Sequence, residues 1–188
     1  MRKTLLSALM ISLLLLTGCG SSQEEAKVGQ FRADCAECTQ ICFLAELHTD
    51  DGSSAADYTL RCTRQGEETV MELLVPELIS GVTARITGKE AALEFDGLSF
   101  AAGSIGTGNI SPMEMPSVLL NGMKTGIASE ICRETWADQT VLGFSADMGE
   151  GLSTRILLAE DTLSPVCGEL FLQGKRIAEC RISEWNME

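Results

Sequence analysis

Apolar and polar residues alternate along most of this chain, and that alternation sets narrow limits on how it can fold. Tyr58, Leu60 and Cys62 alternate with polar neighbours, and the same period of two returns in segments 71–75, 82–87, 91–96 and 142–148. Successive side chains of a β-strand point to opposite faces, so this period predicts strands with one buried face. Turn-forming residues separate the segments, which favours an antiparallel sheet.

The strongest turn signal is Asp96-Gly97, because a two-residue type I′ turn needs positive φ at both central positions. With these residues as the turn, the expected cross-strand pairs are all apolar: Phe95 with Leu98, Leu93 with Phe100, and Ala91 with Ala102. Turn chemistry and side-chain pattern therefore predict the same hairpin register.

A short helix is expected to interrupt the strands at residues 111–123. Pro116 suits a first helical turn, and Leu119, Leu120 and Met123 form one apolar stripe. Weaker helical character continues through 128–133, and strands then return as far as Trp185. This order predicts a mainly β (α+β) protein, an antiparallel sheet with helices gathered on one face.

The N-terminus has the features of an export signal. Arg2 and Lys3 precede an apolar run from Leu5 to Leu16, and small residues follow at Gly18 and Gly20. The run is shorter than the ~20 residues that a membrane-spanning helix needs. We therefore interpret residues 1–18 as a signal peptide.

Leu16-Thr17-Gly18-Cys19 resembles the lipobox of bacterial lipoproteins. The resemblance implies cleavage before Cys19, attachment of lipid to its thiol, and anchoring on the extracytoplasmic face of a cell membrane. An ordinary signal peptide with an incidental Cys is the alternative. The small and polar residues 19–30 predict a flexible tether. Residues 31–188 then form a single domain.

The chain is strongly acidic, with a formal net charge of -13 that becomes -15 once Arg2 and Lys3 leave with the signal peptide. Such a surface repels nucleic-acid backbones, which excludes nucleic acid as a partner. It also repels anionic lipid head groups. Membrane attachment therefore depends on the lipid of Cys19, and two or more acyl chains would suffice.

No motif predicts catalysis or a cofactor. His48 is the only histidine, and a single histidine cannot build a zinc site. The chain has no G-x-S-x-G elbow and no assignable Ser-His-Asp set. The Gly-rich segment 103–108 lacks the spacing and lysine of a phosphate loop. We expect a protein that is not an enzyme, with no metal and no cofactor.

Cysteine usage indicates an oxidising compartment, since eight cysteines occur in an exported chain. Expected strand pairing places Cys167 opposite Cys180 and Cys42 opposite Cys62. Cross-strand neighbours have Cβ separations close to those of disulfides. The sequence thus predicts two disulfides that cross-link neighbouring strands of the sheet. The alternative is a metal or redox site at Cys35, Cys38 and Cys42.

Apolar side chains on one face of the expected sheet and helix are the candidate lining of a ligand cavity. They are Leu60, Met71, Leu73, Ile86, Leu93, Phe95, Phe100, Met113, Met115, Leu119, Leu120, Met123 and Phe144. The helix is rich in Met, which adapts to varied apolar partners. Such stripes equally form ordinary protein cores.

The order of elements resembles the LolA-like family of lipoprotein and lipid carriers, including LolB-, LppX- and LprG-type proteins. The segments that carry the resemblance are 71–76 (MELLVP), 81–86 (GVTARI), 95–98 (FDGL), the helix with Pro116, 160–165 (EDTLSP) and 182–185 (ISEW). The resemblance implies a curved, unclosed antiparallel sheet, or half-barrel, with a helical lid on its concave face. In that family the enclosed cavity holds acyl chains, whereas the cysteines are not a family feature.

Three functional hypotheses follow. The first is a membrane-anchored lipoprotein that holds lipid or acyl chains between sheet and lid, as a carrier. The second is an envelope interaction or structural lipoprotein whose core is filled by its own side chains. The third is an envelope redox or metal-binding protein that uses the Cys35–Cys42 cluster. An apolar cavity of ~300–1,000 Å³ would distinguish the first from the second.

Overall fold

Eleven β-strands form one antiparallel sheet in the computed structural model, which describes residues 21–50, 54–88, 90–104 and 110–188. The strands are β1 (Gln40–Asp50), β2 (Ala55–Gln65), β3 (Glu68–Val75), β4 (Thr83–Thr87), β5 (Glu90–Phe95), β6 (Leu98–Ser104), β7 (Ile127–Trp136), β8 (Gln139–Gly149), β9 (Leu152–Ala159), β10 (Pro165–Leu172) and β11 (Lys175–Met187). The expected signal peptide, residues 1–18, and the lipidation site Cys19 lie outside the described residues.

The sheet has the order β6-β5-β4-β3-β2-β1-β11-β10-β9-β8-β7 and is not closed. The first and last strands pair at its centre, where Leu47 lies opposite Cys180. Register shifts interrupt most of the strand pairs, including β1–β11, β5–β6 and β7–β8. Because such bulges bend and twist strands, they favour curvature. The predicted class, an open antiparallel half-barrel with helices on its concave face, is confirmed.

The β5–β6 hairpin confirms the predicted turn. Asp96 and Gly97 have φ values of 49° and 77°, Phe95 pairs with Leu98, and Leu93 pairs with Phe100. Beyond that point the predicted register is wrong by one residue. Ala91 lies opposite Gly103 rather than Ala102, because the register shifts between Ala91 and Ala92.

The helices are α1 (Ser21–Glu37) and α2 (Met115–Lys124), with a 3₁₀ helix at Glu77–Ile79. Helix α2 corresponds to the predicted helix and carries Pro116 in its first turn. The expected helical character at 128–133 is wrong, since these residues belong to β7. No helix in the described ranges is both long and apolar enough to span a bilayer.

Helix α1 corrects the expectation for the N-terminal segment. Residues 21–30 are helical where a flexible tether was predicted, and the helix continues through residues 31–37. The physical reason is a buried stripe at helical spacing: Val28, Phe31 and Cys35 are each no more than 3% exposed. Burial of this stripe outweighs the Gly- and Ser-rich composition.

Both helices pack on the same side of the sheet. Helix α1 lies against β7 and β8, helix α2 lies against β8, β9 and β10, and the helices contact each other. The main apolar core fills the space between them and the sheet. A smaller cluster of Val141, Leu157 and Cys167 forms separately from this core.

Candidate functional site

The structure brings most of the predicted cavity residues into one cluster beneath the helices. Nine of them are at most 4% exposed, namely Leu60, Met71, Leu73, Ile86, Met115, Leu119, Leu120, Met123 and Phe144. Leu93 and Met113 are partly buried and pack against the same cluster. The alternation along the strands and the helical stripe therefore identified a common apolar surface.

Phe95 and Phe100 do not join this buried set, since their exposures are 50% and 58%. They lie at the far end of the sheet, in β5 and β6, whereas the contacts of α2 are with β8, β9 and β10. The predicted lining is thus divided into a buried part beneath the helices and an exposed part beyond them.

Helix α2 fits the sheet so closely that two glycines are required at the contact. A Cβ on Gly168 of β10 would lie 2.8 Å from Leu119 Cδ2, and a Cβ on Gly122 of α2 would overlap the side chain of Thr154. Leu119, Leu120 and Met123 are completely buried. The protein's own side chains therefore fill this part of the concave face.

Aromatic side chains fill the space beneath α1. The ring of Phe31 lies 6.3 Å from that of Phe144 and 6.4 Å from that of Trp185, measured between centroids. Trp185 in turn lies 5.6 Å from Phe43. These separations are within the range of favourable aromatic pairs, so α1 is an integral part of the core.

Two arginines connect α2 to α1 and to β2 by hydrogen bonds. Arg32 of α1 donates from Nε to the carbonyl of Met123 at 3.1 Å, and from Nη2 to those of Thr125 and Gly126 at 2.7 and 2.8 Å. Arg64 of β2 donates to Asn121 Oδ1 at 2.9 Å. The hydrogen bonds from Arg32 satisfy carbonyl oxygens that a helix C-terminus leaves unpaired.

A cleft with a volume of about 450 Å³ is unlike the expected acyl cavity. It is lined by Glu46, Leu47, His48, Asp57, Tyr58, Thr59, Glu179 and Arg181, most of them polar. None of these residues belongs to either helix or to the predicted cavity set. His48 Nδ1 lies 2.7 Å from Asp57 Oδ1, but both side chains are largely exposed.

The described residues contain no group of three or more His, Cys, Asp or Glu side chains that could hold a metal ion. One buried polar atom, Thr154 Oγ1, has no hydrogen-bond partner. It faces Gly122 in the contact between α2 and β9, so close packing accounts for its isolation.

The predicted disulfide Cys167–Cys180 is contradicted by the register, and the structure contains both residues as free thiols. Cys167 lies opposite Arg181, and Cys180 lies opposite Gly168. The register shifts by one residue between Leu170 and Phe171. Because neighbouring residues of a strand face opposite sides, this shift places the two sulfur atoms on different faces of the sheet.

The predicted disulfide Cys42–Cys62 is contradicted by the regular register of β1 and β2. Cys42 pairs with Thr63, Phe43 pairs with Cys62, and both cysteines are free thiols. The sulfur of Cys42 lies 3.8 Å from Thr63 Oγ1, whereas Cys62 is buried in the main core. The predicted pairing therefore differs from the observed β1–β2 register by one residue.

Cys35, the buried member of the Cys35, Cys38 and Cys42 cluster, lacks the environment of a reactive thiol. Burial, followed by the proximity of Cys38, raises the pKa of the Cys35 thiol to about 12. Cys35 lies in the last turn of α1, whereas reactive thiols gain a low pKa at helix N-termini. Burial also raises the pKa of Cys167 to about 12, and raises those of Cys62 and Cys180.

An exposed apolar surface lies at the end of the sheet formed by β3 to β6, and we call it the tip surface. Its members are Val75, Leu78, Ile79, Phe95, Leu98 and Phe100, each between 43% and 92% exposed. The sequence prediction assigned Phe95 and Phe100 to a cavity. It missed the tip surface because alternation reports which side chains share a face, not how far the helices cover that face.

Solved structures share this fold over most of both chains. An uncharacterized conserved protein from Thermus thermophilus is 12% identical, with 85% of this chain and 87% of that chain covered and a TM-score of 0.51. A DUF1329 family protein from Desulfovibrio piger is 7% identical, with 89% and 92% covered and a TM-score of 0.50. A LolA superfamily protein from Nitrosomonas europaea is 8% identical, with 87% and 93% covered and a TM-score of 0.47.

Identities this low concern the fold alone. The structures similar to this chain include a LolA superfamily protein, as the resemblance in the sequence predicted. No protein-family model and no curated protein matches the chain.

Proposed function

We propose that the protein is a lipid-anchored interaction protein of the extracytoplasmic cell envelope. Residues 1–18 are removed as a signal peptide, and Cys19 carries the lipid. Helix α1 begins at Ser21, only two residues after the anchor. Two residues span at most about 7 Å, so the folded domain is held close to the bilayer rather than on a long tether.

The filled part of the concave face beneath the helices is the observation that carries this proposal. A protein that stores acyl chains needs an apolar space for them. Here Leu119, Leu120, Met123 and Phe144 occupy the corresponding position and are completely buried. Neither the cleft of about 450 Å³ nor the cleft of about 420 Å³ is lined by any of these four residues. Binding is therefore assigned to the outer surface, by contact with another envelope component and without catalysis.

A second candidate function is lipid or acyl carriage, the activity that the family resemblance implied. The continuous apolar cluster beneath α1 and α2 supports it, because a displaced helix would uncover a surface able to accept a chain. An entering acyl chain gains ~0.8 kcal/mol per buried CH₂. Re-exposing Leu119 or Leu120 costs about 1.5–3 kcal/mol each, so a ligand must replace these contacts closely.

The anchor is tested by fractionation of cells that express the parent protein or Cys19→Ser. We expect the parent in the membrane fraction, labelled by radioactive palmitate, and the variant unlabelled and released from the membrane. A Cys35→Ser variant serves as the matched control and should behave as the parent. Membrane retention of Cys19→Ser without label would contradict lipid anchoring.

Binding of a fluorescent fatty acid to the purified mature lipoprotein separates the two candidate functions. The interaction protein shows no saturable fluorescence increase. A carrier shows saturable uptake that unlabelled fatty acid displaces. Saturable, competed uptake would therefore replace our first proposal with the second.

A further inference from the structure

Strand β6 forms one edge of the sheet, and within the described residues it pairs with β5 alone. The side chains of Leu98, Ser99, Phe100 and Ala101 are all exposed. The strand contains no charged residue and no proline, which are the features that usually prevent an edge strand from pairing with another chain. In the part of the chain that the structure describes, no second strand pairs with its outward backbone N–H and C=O groups.

The opposite edge, β7, is protected. It carries Glu130, Arg133 and Glu134, and its register shifts between Ser129 and Cys132, where Glu130 has a φ of 52°. Arg133 lies 3.8 Å from Glu24 of α1, which packs against this strand. Charges, an irregular register and a covering helix are recognised defences of an edge. The contrast identifies β6 as the one edge suited to recognition.

The two faces beside β6 differ in character. Leu98 and Phe100 share a face with Phe95 and Leu93, with which they pair. Ser99 shares the other face with Glu94 and Thr83. A cleft of about 420 Å³ at this end of the hairpin is lined by residues of both faces, namely Gly81, Thr83, Glu94, Phe95, Asp96, Gly97, Leu98 and Ser99. One face is therefore apolar. On the other face Arg85 donates to Glu94 at 3.0 Å and to Glu68 at 3.5 Å, so two carboxylates share one guanidinium and this face stays acidic.

A strand added to β6 would present alternate side chains to these two faces. Apolar residues would contact Leu98 and Phe100. Long basic residues would reach past the small Ser99 towards Glu94 and Asp96. A second copy of this chain cannot supply those positive charges, because its own β6 is uncharged and its net charge is negative. An anionic bilayer is excluded by the same repulsion.

We propose that the β6 edge binds an extended segment of a partner protein in which apolar and basic residues alternate. The segment joins the sheet as a twelfth strand, by the β-augmentation used in several peptide-recognition domains. Main-chain hydrogen bonds to residues 98–101 supply affinity, and the apolar and acidic faces supply specificity. This inference rests on the proposed interaction function and identifies its surface.

The test uses the mature lipoprotein in phosphatidylcholine nanodiscs and a fluorescein-labelled nonapeptide of alternating Lys and Val. Fluorescence anisotropy measures binding. We expect saturable binding of this peptide and at least tenfold weaker binding of the matched Glu/Val peptide. Absence of Lys/Val binding, or equal binding of the two peptides, would overturn the proposal.

Backbone methylation distinguishes strand addition from simple charge attraction. Two further Lys/Val peptides carry N-methyl groups, one at the odd positions and one at the even positions. In an added strand only alternate N–H groups face the edge. One methylated peptide should bind like the parent peptide and the other at least tenfold more weakly. Equal affinities of the two methylated peptides would contradict pairing with an edge.

Matched substitutions locate the binding site. Phe100→Lys should weaken peptide binding at least tenfold. Ile127→Lys makes the same charge change at a residue of the β7 edge that is 82% exposed, and should leave the affinity within twofold of the parent. Equal effects of the two substitutions would remove β6 as the binding surface.

Failure of this inference is distinguishable from failure of the proposed function. Saturable fatty-acid uptake would contradict the interaction function itself. No uptake, together with no peptide binding at β6, would leave an interaction protein whose surface is elsewhere. A dimer detected by mass photometry in the parent but not in Phe100→Lys would instead assign β6 to a second copy of the chain.

Discussion

Gly122 and Gly168 allow α2 to lie directly on the sheet, since neither has a side chain where Thr154 and Leu119 already lie. This contact is the residue-scale basis for describing the concave face as filled. It also explains why Thr154 Oγ1 is buried without a hydrogen bond. A looser contact would leave space for water or ligand.

Gly122→Ala should lower the free energy of unfolding by about 1–3 kcal/mol, because the added methyl group overpacks the contact with Thr154. Gly29→Ala is the control. It is also a helical glycine, but nothing lies within 4 Å of its added Cβ. Alanine there should stabilise the protein by about 0.5–1 kcal/mol. Urea denaturation measures the free energy of unfolding of both variants. Equal changes in the two variants would show that α2 is not tightly packed.

The raised pKa of Cys35, about 12 compared with an ordinary value of 9.0, predicts a pH dependence of stability. Between pH 9 and 12 the unfolded chain releases this thiol proton while the folded chain retains it. Stability from this group is therefore complete below pH 9 and falls as pH rises. Cys35→Ala should reduce the alkaline decline of the unfolding free energy, measured with a reductant present.

The control for that measurement is Val28→Ala, which trims the same face of α1 without removing a thiol. It should lower stability at every pH and leave the alkaline slope as in the parent. If the unfolding free energy fell with pH at the same rate in the parent and in Cys35→Ala, the Cys35 thiol would not be buried in the folded protein.

Single residues also explain why the disulfide prediction was wrong. The chain turns at Gln173-Gly174, and Leu172 pairs with Lys175 as a two-residue turn requires. One extra residue in β11 then displaced the partner of Cys167 from Cys180 to Arg181. Sequence alternation does not reveal such a bulge, because the pattern on either side of it stays apolar and polar in turn.

At the scale of elements, α1 and α2 form a pair held by Arg32. Its guanidinium joins one helix to three carbonyls at the end of the other. Arg32→Ala should lower the unfolding free energy by about 1–3 kcal/mol, since bonds from a charged donor are lost and carbonyls are left unpaired. Amide exchange should accelerate more in α2 than in the central strands.

Gln30→Ala provides a control for this prediction on the same helix. Gln30 is exposed and bonds only to Asp34 within α1, so its replacement should leave exchange in α2 unchanged. Uniform acceleration across the sheet in Arg32→Ala would contradict a specific connection between the helices.

Local signals determined which elements could be predicted. The β5–β6 hairpin followed from Asp96-Gly97, and α2 followed from Pro116 and its apolar stripe. Helix α1 was missed because its stripe has only three members, Val28, Phe31 and Cys35, within a polar segment. Its stability comes from contacts with Phe144 and Trp185, residues more than a hundred positions away.

At the scale of the whole molecule, the pairing of β1 with β11 joins the two ends of the domain. No local pattern specifies such a contact, so the strand order could be expected only from the family resemblance. The resemblance predicted the half-barrel and the side of the sheet that the helices cover. The degree to which those helices fill the concave face depends on packing, which appears only in the structure.

The molecule therefore combines an open antiparallel half-barrel with a core completed by its own helices. The proposed anchor at Cys19 places this acidic domain at a membrane, and the tip surface, which includes Leu98 and Phe100 of β6, is an exposed apolar region. The central claim is that the concave face needs no lipid to be filled.

Native mass spectrometry of the mature lipoprotein, purified from cells in mild detergent, tests that claim most directly. The covalent lipid of Cys19 contributes a fixed mass, and any cavity ligand would add a further, dissociable mass. We predict the mass of the lipidated chain alone at low activation energy. A reproducible additional lipid, lost on collisional activation and absent from an unrelated lipoprotein prepared identically, would contradict a self-filled core.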